Sequence, residues 1–192
     1  MVTTKQAPTK DPAMYRQLTF DRMDNDAYYT PDWCTEALLS RVKFRGAIWE
    51  PAAGLGRMSA VLRAGGYDVI ESDIDPRVAN VVNFLDCRAM MGGSISIVTN
   101  PPYHIGENFV AHALSLALSA EIGGMVAMLL RHEFDCAKKR RLLFERPEFA
   151  LKLTLTSRPR WMQNTGNSPR HNFAWYIWDA HHSGAPCLGW LP

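Results

Sequence analysis

Ser94-Ile95-Ser96-Ile97-Val98-Thr99-Asn100-Pro101-Pro102-Tyr103 joins a short apolar run to a turn that carries chemistry. Two isoleucines and a valine in so short a run read as a buried strand. Proline cannot continue a central ladder, so the strand ends at Asn100 and the chain turns outward. The turn then presents a carboxamide, the Pro101 carbonyl and an aromatic face at the carboxyl end of a strand, the edge where open α/β sheets bind ligands. Asn100 and Pro101 can each accept one N–H of an amino group, and Tyr103 can stack on the ring that bears it. The same four residues also read as a stiff loop.

Upstream, Ala47-Ile48-Trp49-Glu50-Pro51 reads as a strand closing on an acid and a proline. Ala52-Ala53-Gly54-Leu55-Gly56 and a helix over 57–64 follow, giving the strand, glycine turn and helix that open a Rossmann-like sheet. The third glycine of the dinucleotide pattern is replaced by Ser59. Glu50 would stand where a pyrophosphate must approach, and two anions there repel. S-adenosylmethionine carries an ammonium and a positive sulfur and no phosphate, so an acid beside the turn suits it.

Residues 66–73 form a second expected strand, ending on Asp73 about twenty residues after the turn, the position of a ribose-binding acid. Ile74 would lie on an adenine ring. A third short strand is expected over 81–86, where Asn83 and Asp86 are candidates for the adenine edge, or Asp86 for a turn cap. Nearer the N-terminus, Thr30-Pro31 has the form of an N-cap followed by proline at the first helical position. That helix would carry Trp33, Ala37, Leu38 and Val42, and its start could hold a carboxylate or simply be capped.

Beyond Tyr103 the pattern predicts an amphipathic helix over 107–120, a buried strand over 125–130 and a helix over 134–144. A half-exposed strand over 149–156, a turn-rich loop over 157–172 and an aromatic strand over 173–179 follow. Residues 1–26 read as a mobile arm, and 27–192 as one domain.

The chain has 192 residues, 47% of them hydrophobic, and a net charge of +2. No apolar run approaches the roughly 18 residues of a membrane span, and no signal-peptide core is present. Cys34, Cys87, Cys136 and Cys187 are scattered without ligand spacing. A cytoplasmic protein with buried thiols and no metal is therefore expected. Adjacent His181 and His182 near Asp179 point to opposite sides of an extended chain and do not make a metal site. Residues 131–170 hold ten Lys/Arg against four acids, a net +6, and the remainder carries −4. The run Lys138-Lys139-Arg140-Arg141 reads either as a phosphate-tracking surface or as a solvated helix face.

With the glycine turn, the acid closing strand two and the Asn-Pro-Pro-Tyr turn in place, the chain resembles the amino-group DNA methyltransferases over roughly residues 27 to 180. It is most similar to the small adenine-N6 enzymes common in phages and prophages. The resemblance implies an α/β, Rossmann-like S-adenosylmethionine-dependent methyltransferase fold: a mostly parallel seven-stranded sheet with helices on both faces. It implies cofactor contacts at Tyr29, Thr30, Glu50, Pro51, Ala52, Gly54, Gly56, Asp73, Ile74, Asp86 and Asn100, and catalysis at Asn100, Pro101, Pro102 and Tyr103. Asn83-Phe84-Leu85 departs from the family's usual Asp-Phe-Leu and leaves the adenine contact open between Asn83 and Asp86. Arg158-Pro159-Arg160-Trp161, followed by the aromatic run 173–179, is similar to the small phage-type members, and with the catalytic motif this implies substrate contacts at Tyr103, Trp161, Arg160 and Arg170; Trp161 reads equally as a loop tryptophan packed on the sheet.

The implied reaction is direct methyl transfer to the N6 of a flipped-out adenine in DNA, with no nucleophilic cysteine required. Cys187, after Pro186, lies in the tail and is not expected to act. RNA adenine and protein glutamine share the same N–H geometry and stand as alternative substrates, and a non-catalytic subunit as an alternative role. The sequence leaves no room for a separate recognition domain. Short or relaxed sequence specificity follows, or a recognition partner or homodimer.

Overall fold

The computed structural model describes residues 30–78, 80–161 and 170–192. The expected N-terminal arm, Tyr29 and most of the loop before residue 170 lie outside the described residues. Helix α1 spans Asp32–Leu39, strand β1 Ile48–Glu50, α2 Arg57–Ala64 and β2 Val69–Glu71. Strand β3 spans Ser96–Thr99, α3 Gly106–Ala117, β4 Met125–Arg131, α4 Arg141–Phe144, β5 Phe149–Leu155, β6 Phe173–Asp179 and β7 Cys187–Leu191. The sheet runs β2-β1-β3-β4-β6-β5-β7. All strands but β6 point one way, and β6 pairs antiparallel with both β4 and β5. This is the mostly parallel seven-stranded architecture that the sequence implies.

Burial on both faces explains why the central strands read as unbroken apolar runs. Ala127 and Leu129 of β4, with Trp175 and Ile177 of β6, face Cys34 and Leu38 of α1 and Met58 and Leu62 of α2. Val126, Met128 and Leu130, with Tyr176 and Trp178, face Phe109, Val110 and Ala113 of α3. Three buried tryptophans keep their indole N–H bonded, which removes the penalty of hiding a donor. Trp49 donates to Ser72 Oγ at 2.9 Å, Trp175 to the Cys34 carbonyl at 2.9 Å and Trp178 to the Leu143 carbonyl at 2.8 Å.

The backbone between α3 and β4 is pinned from three sides. Gly124 donates to the Ala117 carbonyl at 2.8 Å, and its own carbonyl accepts from Ala180 N at 3.0 Å and Arg45 Nη2 at 3.2 Å. A Cβ at Gly124 would stand 1.7 Å from the Ile95 carbonyl oxygen. Backbone cannot yield as a side chain can, so Gly124→Ala is expected to destabilise by about 3 kcal/mol or more. Urea denaturation checks this: the midpoint falls, and an unchanged midpoint contradicts the packing.

Four elements differ from the sequence expectation. No strand forms over 81–86. Val81 makes a single parallel bridge with Asp73, and Phe84–Asp86 is a 3₁₀ turn whose second amide, Leu85 N, donates to Asn83 Oδ1 at 3.3 Å. Local side-chain bonding wins over a ladder there. The single helix expected over 134–144 is broken into two 3₁₀ turns and the four-residue α4. Ala137 is extended, with φ −86° and ψ 124°, between the two turns, and the Phe134 carbonyl that the helix would use accepts instead from Arg140 Nη1 at 3.0 Å. Helix α1 stops at Leu39, short of Val42, and Pro31 rather than Thr30 occupies its N-cap position, without a side-chain cap bond. The tail forms β7, parallel to β5 at the sheet edge.

Candidate functional site

The carboxyl edge of the parallel strands gathers the residues of interest. At the end of β1, Glu50 is buried, and the chain doubles back as Ala53 N donates to the Ser72 carbonyl at 3.1 Å. Gly54 and Gly56 have φ of +53° and +72°, a left-handed conformation that costs glycine nothing. A Cβ at Gly54 would meet nothing within 4 Å, so this backbone borders open space. Asp73 braces the turn: Oδ2 accepts from Gly54 N at 2.8 Å and Oδ1 from Asp75 N at 2.9 Å. Ile74 follows Asp73, Val81 bridges to it and Leu55 follows Gly54. These three apolar side chains are exposed around one carboxylate.

Ser59, at the place of the missing third glycine, is buried on α2 and donates its hydroxyl to the Glu50 carboxylate. Burial, helped by the charges of Glu71 and Asp73 and opposed by the Ser59 bonds, pushes Glu50 up to about 8. Glu71 is paired with Arg63 at 2.5 Å, and Arg57 with Asp32 at 3.1 Å. Glu71 and Asp73 flank the turn, and a cation set there would favour the charged form of Glu50 as well, whereas a pyrophosphate is repelled.

At the end of β3, Asn100 sits between two hydroxyls. Its Nδ2 donates to Thr30 Oγ1 at 3.1 Å, and its Oδ1 accepts from Tyr103 Oη at 2.7 Å. Thr30 is buried, so the residue expected to cap α1 instead touches the carboxamide. Pro101 is buried, and its carbonyl takes no hydrogen bond among the described residues. Tyr103 lies 5.6 Å from Phe173 and 6.3 Å from Trp161, and Trp161 stands edge-on to Phe173 at 4.8 Å. The structure therefore brings Trp161 to the Asn-Pro-Pro-Tyr turn. Phe173 completes the trio and was missed by sequence reasoning, although its place as the first aromatic of β6, directly after the loop, was a usable signal.

Other expected residues fall less centrally. Pro51 is buried, and Ala52 packs on the α3 face of the core. Asn83 and Asp86 are both exposed and bonded to each other, Nδ2 to Oδ2 at 2.8 Å, beside the buried Phe84, which is edge-on to Trp49 at 5.1 Å. Arg160 and Arg170 are exposed. Three charges of the basic run are met by acids: Lys139 and Arg140 pair with Glu107, and Arg141 with Glu145. Beside the aromatic trio a different cationic group emerges. Arg131 and Arg170 lie close enough to His171 to reinforce the lowering that burial imposes on it, with Glu133 opposing, and Arg158 Nε donates to Asn172 Oδ1 at 2.8 Å. Among the described residues no group of three or more His, Cys, Asp or Glu converges as a metal site, and no helix is long and apolar enough to cross a membrane.

Neither a protein-family model nor a curated protein matches the sequence. Solved structures do share its fold. A class I S-adenosylmethionine-dependent methyltransferase structure from Listeria monocytogenes superposes with a TM-score of 0.62 at 12% identity, over 93% of this chain and 68% of that one. The 23S rRNA methyltransferase ErmE gives 0.56 at 18% identity, over 81% and 71%. The type IIG restriction endonuclease BpuSI gives 0.50 at 12% identity, over 80% of this chain and only 24% of that one. The chain has the class I S-adenosylmethionine-dependent methyltransferase fold. Identities this low define the architecture and leave the chemistry to the site.

Proposed function

We propose that the protein is an S-adenosylmethionine-dependent methyltransferase acting on the N6 amine of adenine in DNA. The observation that carries this reading is the turn at the end of β3, where the Asn100 carboxamide and the Pro101 carbonyl share one turn with the Tyr103 ring and Trp161 stands edge-on to Tyr103. Two acceptors for one NH2 and a stacking surface for the ring beneath it are what an exocyclic amine on a heterocycle requires. The cofactor reading rests on the neighbouring turn: open space over Gly54, the acids Asp73 and Glu71 with the protonated Glu50 beside them, and exposed Ile74 fit a cationic, adenosine-bearing, phosphate-free molecule. Glu50, Gly54, Gly56, Asp73 and Ile74 would hold it, with Tyr29, Thr30, Pro51, Ala52 and Asp86 as further contacts.

Bound there, S-adenosylmethionine supplies an activated methyl group. The chain supplies orientation and electrostatics. The N6 lone pair is delocalised into the ring, which makes the amine a poor nucleophile. Acceptance of its two N–H bonds by Asn100 Oδ1 and the Pro101 carbonyl favours a pyramidal nitrogen and stabilises the positive charge that develops on it. Tyr103 and Trp161 hold the ring in line for attack. Transfer of the methyl group from the bound donor would leave N6 with a surplus proton, which would pass to water. A base inside a duplex cannot reach this turn, so the adenine must be flipped out or single-stranded. Arg131, Arg158, Arg160 and Arg170 would meet phosphates around the aromatic trio. A side chain that reads base edges over a long site is not evident among the described residues, and short or relaxed specificity is part of the proposal.

Unmethylated DNA, RNA and a release factor, each incubated with S-adenosylmethionine and digested for mass spectrometry, test the reading. N6-methyldeoxyadenosine in the DNA arm is expected. Methylation confined to RNA, a reading that the fold of the rRNA methyltransferase supports, or confined to glutamine, would move the substrate while keeping the chemistry.

A further inference from the structure

Asn100 must present its oxygen, not its nitrogen, to a substrate amine, yet both of its partners are hydroxyls. A hydroxyl can donate or accept, so on count alone the two orientations of the carboxamide are equal. They differ in chemistry. Tyr103 Oη is a phenol, more acidic than an aliphatic alcohol and a poorer acceptor, whereas the Thr30 hydroxyl is the better acceptor. The observed polarity follows that difference: Tyr103 donates to Oδ1 at 2.7 Å and Thr30 accepts from Nδ2 at 3.1 Å. Thr30 lies 70 positions away in sequence and is only 6% exposed, so water does not replace it.

We propose that Thr30 is a positioning residue that fixes which end of the Asn100 carboxamide faces the target, and that the Tyr103 hydroxyl holds the Asn100 acceptor until a substrate amine displaces it. This rests on the amine-methylating reading above. In the resting chain, Tyr103 occupies the lone pair an N6–H would use. When Tyr103 turns to stack on the base, Oδ1 is released, and the bond from Nδ2 to Thr30 keeps the carboxamide from rotating with it. Without that bond the carboxamide turns freely, and a turned Asn100 sets an N–H against the N–H of the substrate.

Thr30→Val keeps the shape and removes the acceptor, and Thr30→Ser restores it. At saturating S-adenosylmethionine and DNA, with saturation verified by calorimetry of S-adenosylhomocysteine binding, Thr30→Val is expected to lower kcat roughly 10- to 100-fold. Thr30→Ser should recover most of that loss. An effect confined to the cofactor KM would overturn the proposal and leave Thr30 as a cofactor contact, and an unchanged kcat would overturn it outright. A second readout does not depend on turnover. Exchange of the Asn100 side-chain amide protons, followed by NMR, should be slow in the wild type and in Thr30→Ser and faster in Thr30→Val. Equal exchange in all three refutes the bond even if the substrate proves not to be adenine. A wild type that methylates no adenine while the exchange pattern holds refutes only the underlying substrate reading.

Discussion

Asn100→Ala is expected to lower methyl transfer by roughly 100- to 1,000-fold while leaving the fold and cofactor binding in place, the loss seen when one preorganised partner of a developing charge is removed. The separation of effects follows from where the side chain sits. The β3 ladder to β4 is built from Ser96 to Thr99 and ends before Asn100. Removing the carboxamide therefore costs two side-chain hydrogen bonds at a partly buried position, of order 1 kcal/mol of stability. The glycine turn is held by Ser72, Asp73 and Ser59, none of which touches Asn100. The chemical step, in contrast, loses one of the two acceptors that localise the N6 lone pair. Three measurements check this: thermal unfolding, calorimetry with S-adenosylhomocysteine and single-turnover transfer to DNA. Undiminished transfer would remove Asn100 from the mechanism. Loss of cofactor binding together with transfer would make it a cofactor ligand instead.

The parts of this molecule legible in the sequence are those whose causes are local. A proline pair stops β3 wherever the strand lies in the fold, and the glycines at +53° and +72° announce a turn that other residues would strain. Two-sided burial makes β4 and β6 apolar or aromatic up to their last residues, Arg131 and Asp179, and the pattern places both within a residue. The parts that escaped depend on distant partners. The 134–144 helix is interrupted at Ala137, whose extended backbone separates the two 3₁₀ turns, while Lys152 of β5 and Tyr176 of β6 tie the first turn down through the His132 carbonyl and the Asp135 carboxylate. Strand β7 escaped because Leu188 and Trp190 point to solvent, at 68% and 65% exposure, so its alternation carried no inward signal. Thr-Pro spacing offers Thr30 either as a cap or as part of a carboxylate site, and its bond to a residue 70 positions away has no local trace. Phe173 sat in plain view as a strand residue, and only the folded chain puts it against Tyr103 and Trp161.

The buried acid makes a second strong prediction. An ordinary glutamate titrates at about 4.3, and Glu50 is pushed up to about 8 by burial, with Glu71 and Asp73 adding to the effect and Ser59 opposing it. Below pH 4 both the folded and the unfolded chain hold this proton. Between about pH 5 and 8 the unfolded chain has lost it and the folded chain keeps it, so folding takes up a proton and stability falls as pH rises. The limiting slope is about 1.4 kcal/mol per pH unit. Above about pH 8 the folded chain ionises too and the fall stops. The stability present below the unfolded pKa is thus lost as pH rises through the folded one, on the order of 4 kcal/mol across the window. Glu50→Gln keeps a carbonyl oxygen for the Ser59 hydroxyl and cannot ionise, so its stability should lack this fall and exceed that of the wild type most at pH 8 to 9. Other titrating groups, His171 among them, act equally in both proteins and cancel in the difference. Chemical denaturation at several pH values measures it, and parallel curves for the two proteins would show that Glu50 is not held neutral. A cation placed on the glycine turn reverses the balance by favouring the carboxylate. Binding of S-adenosylmethionine near pH 6.5 should therefore release a proton, seen as a binding enthalpy that follows the ionisation enthalpy of the buffer in the wild type. In Glu50→Gln that dependence should vanish and affinity should fall. A buffer-independent enthalpy in the wild type would mean that the ligand's charge lies elsewhere, and that Glu50 shapes the turn without sensing what binds on it.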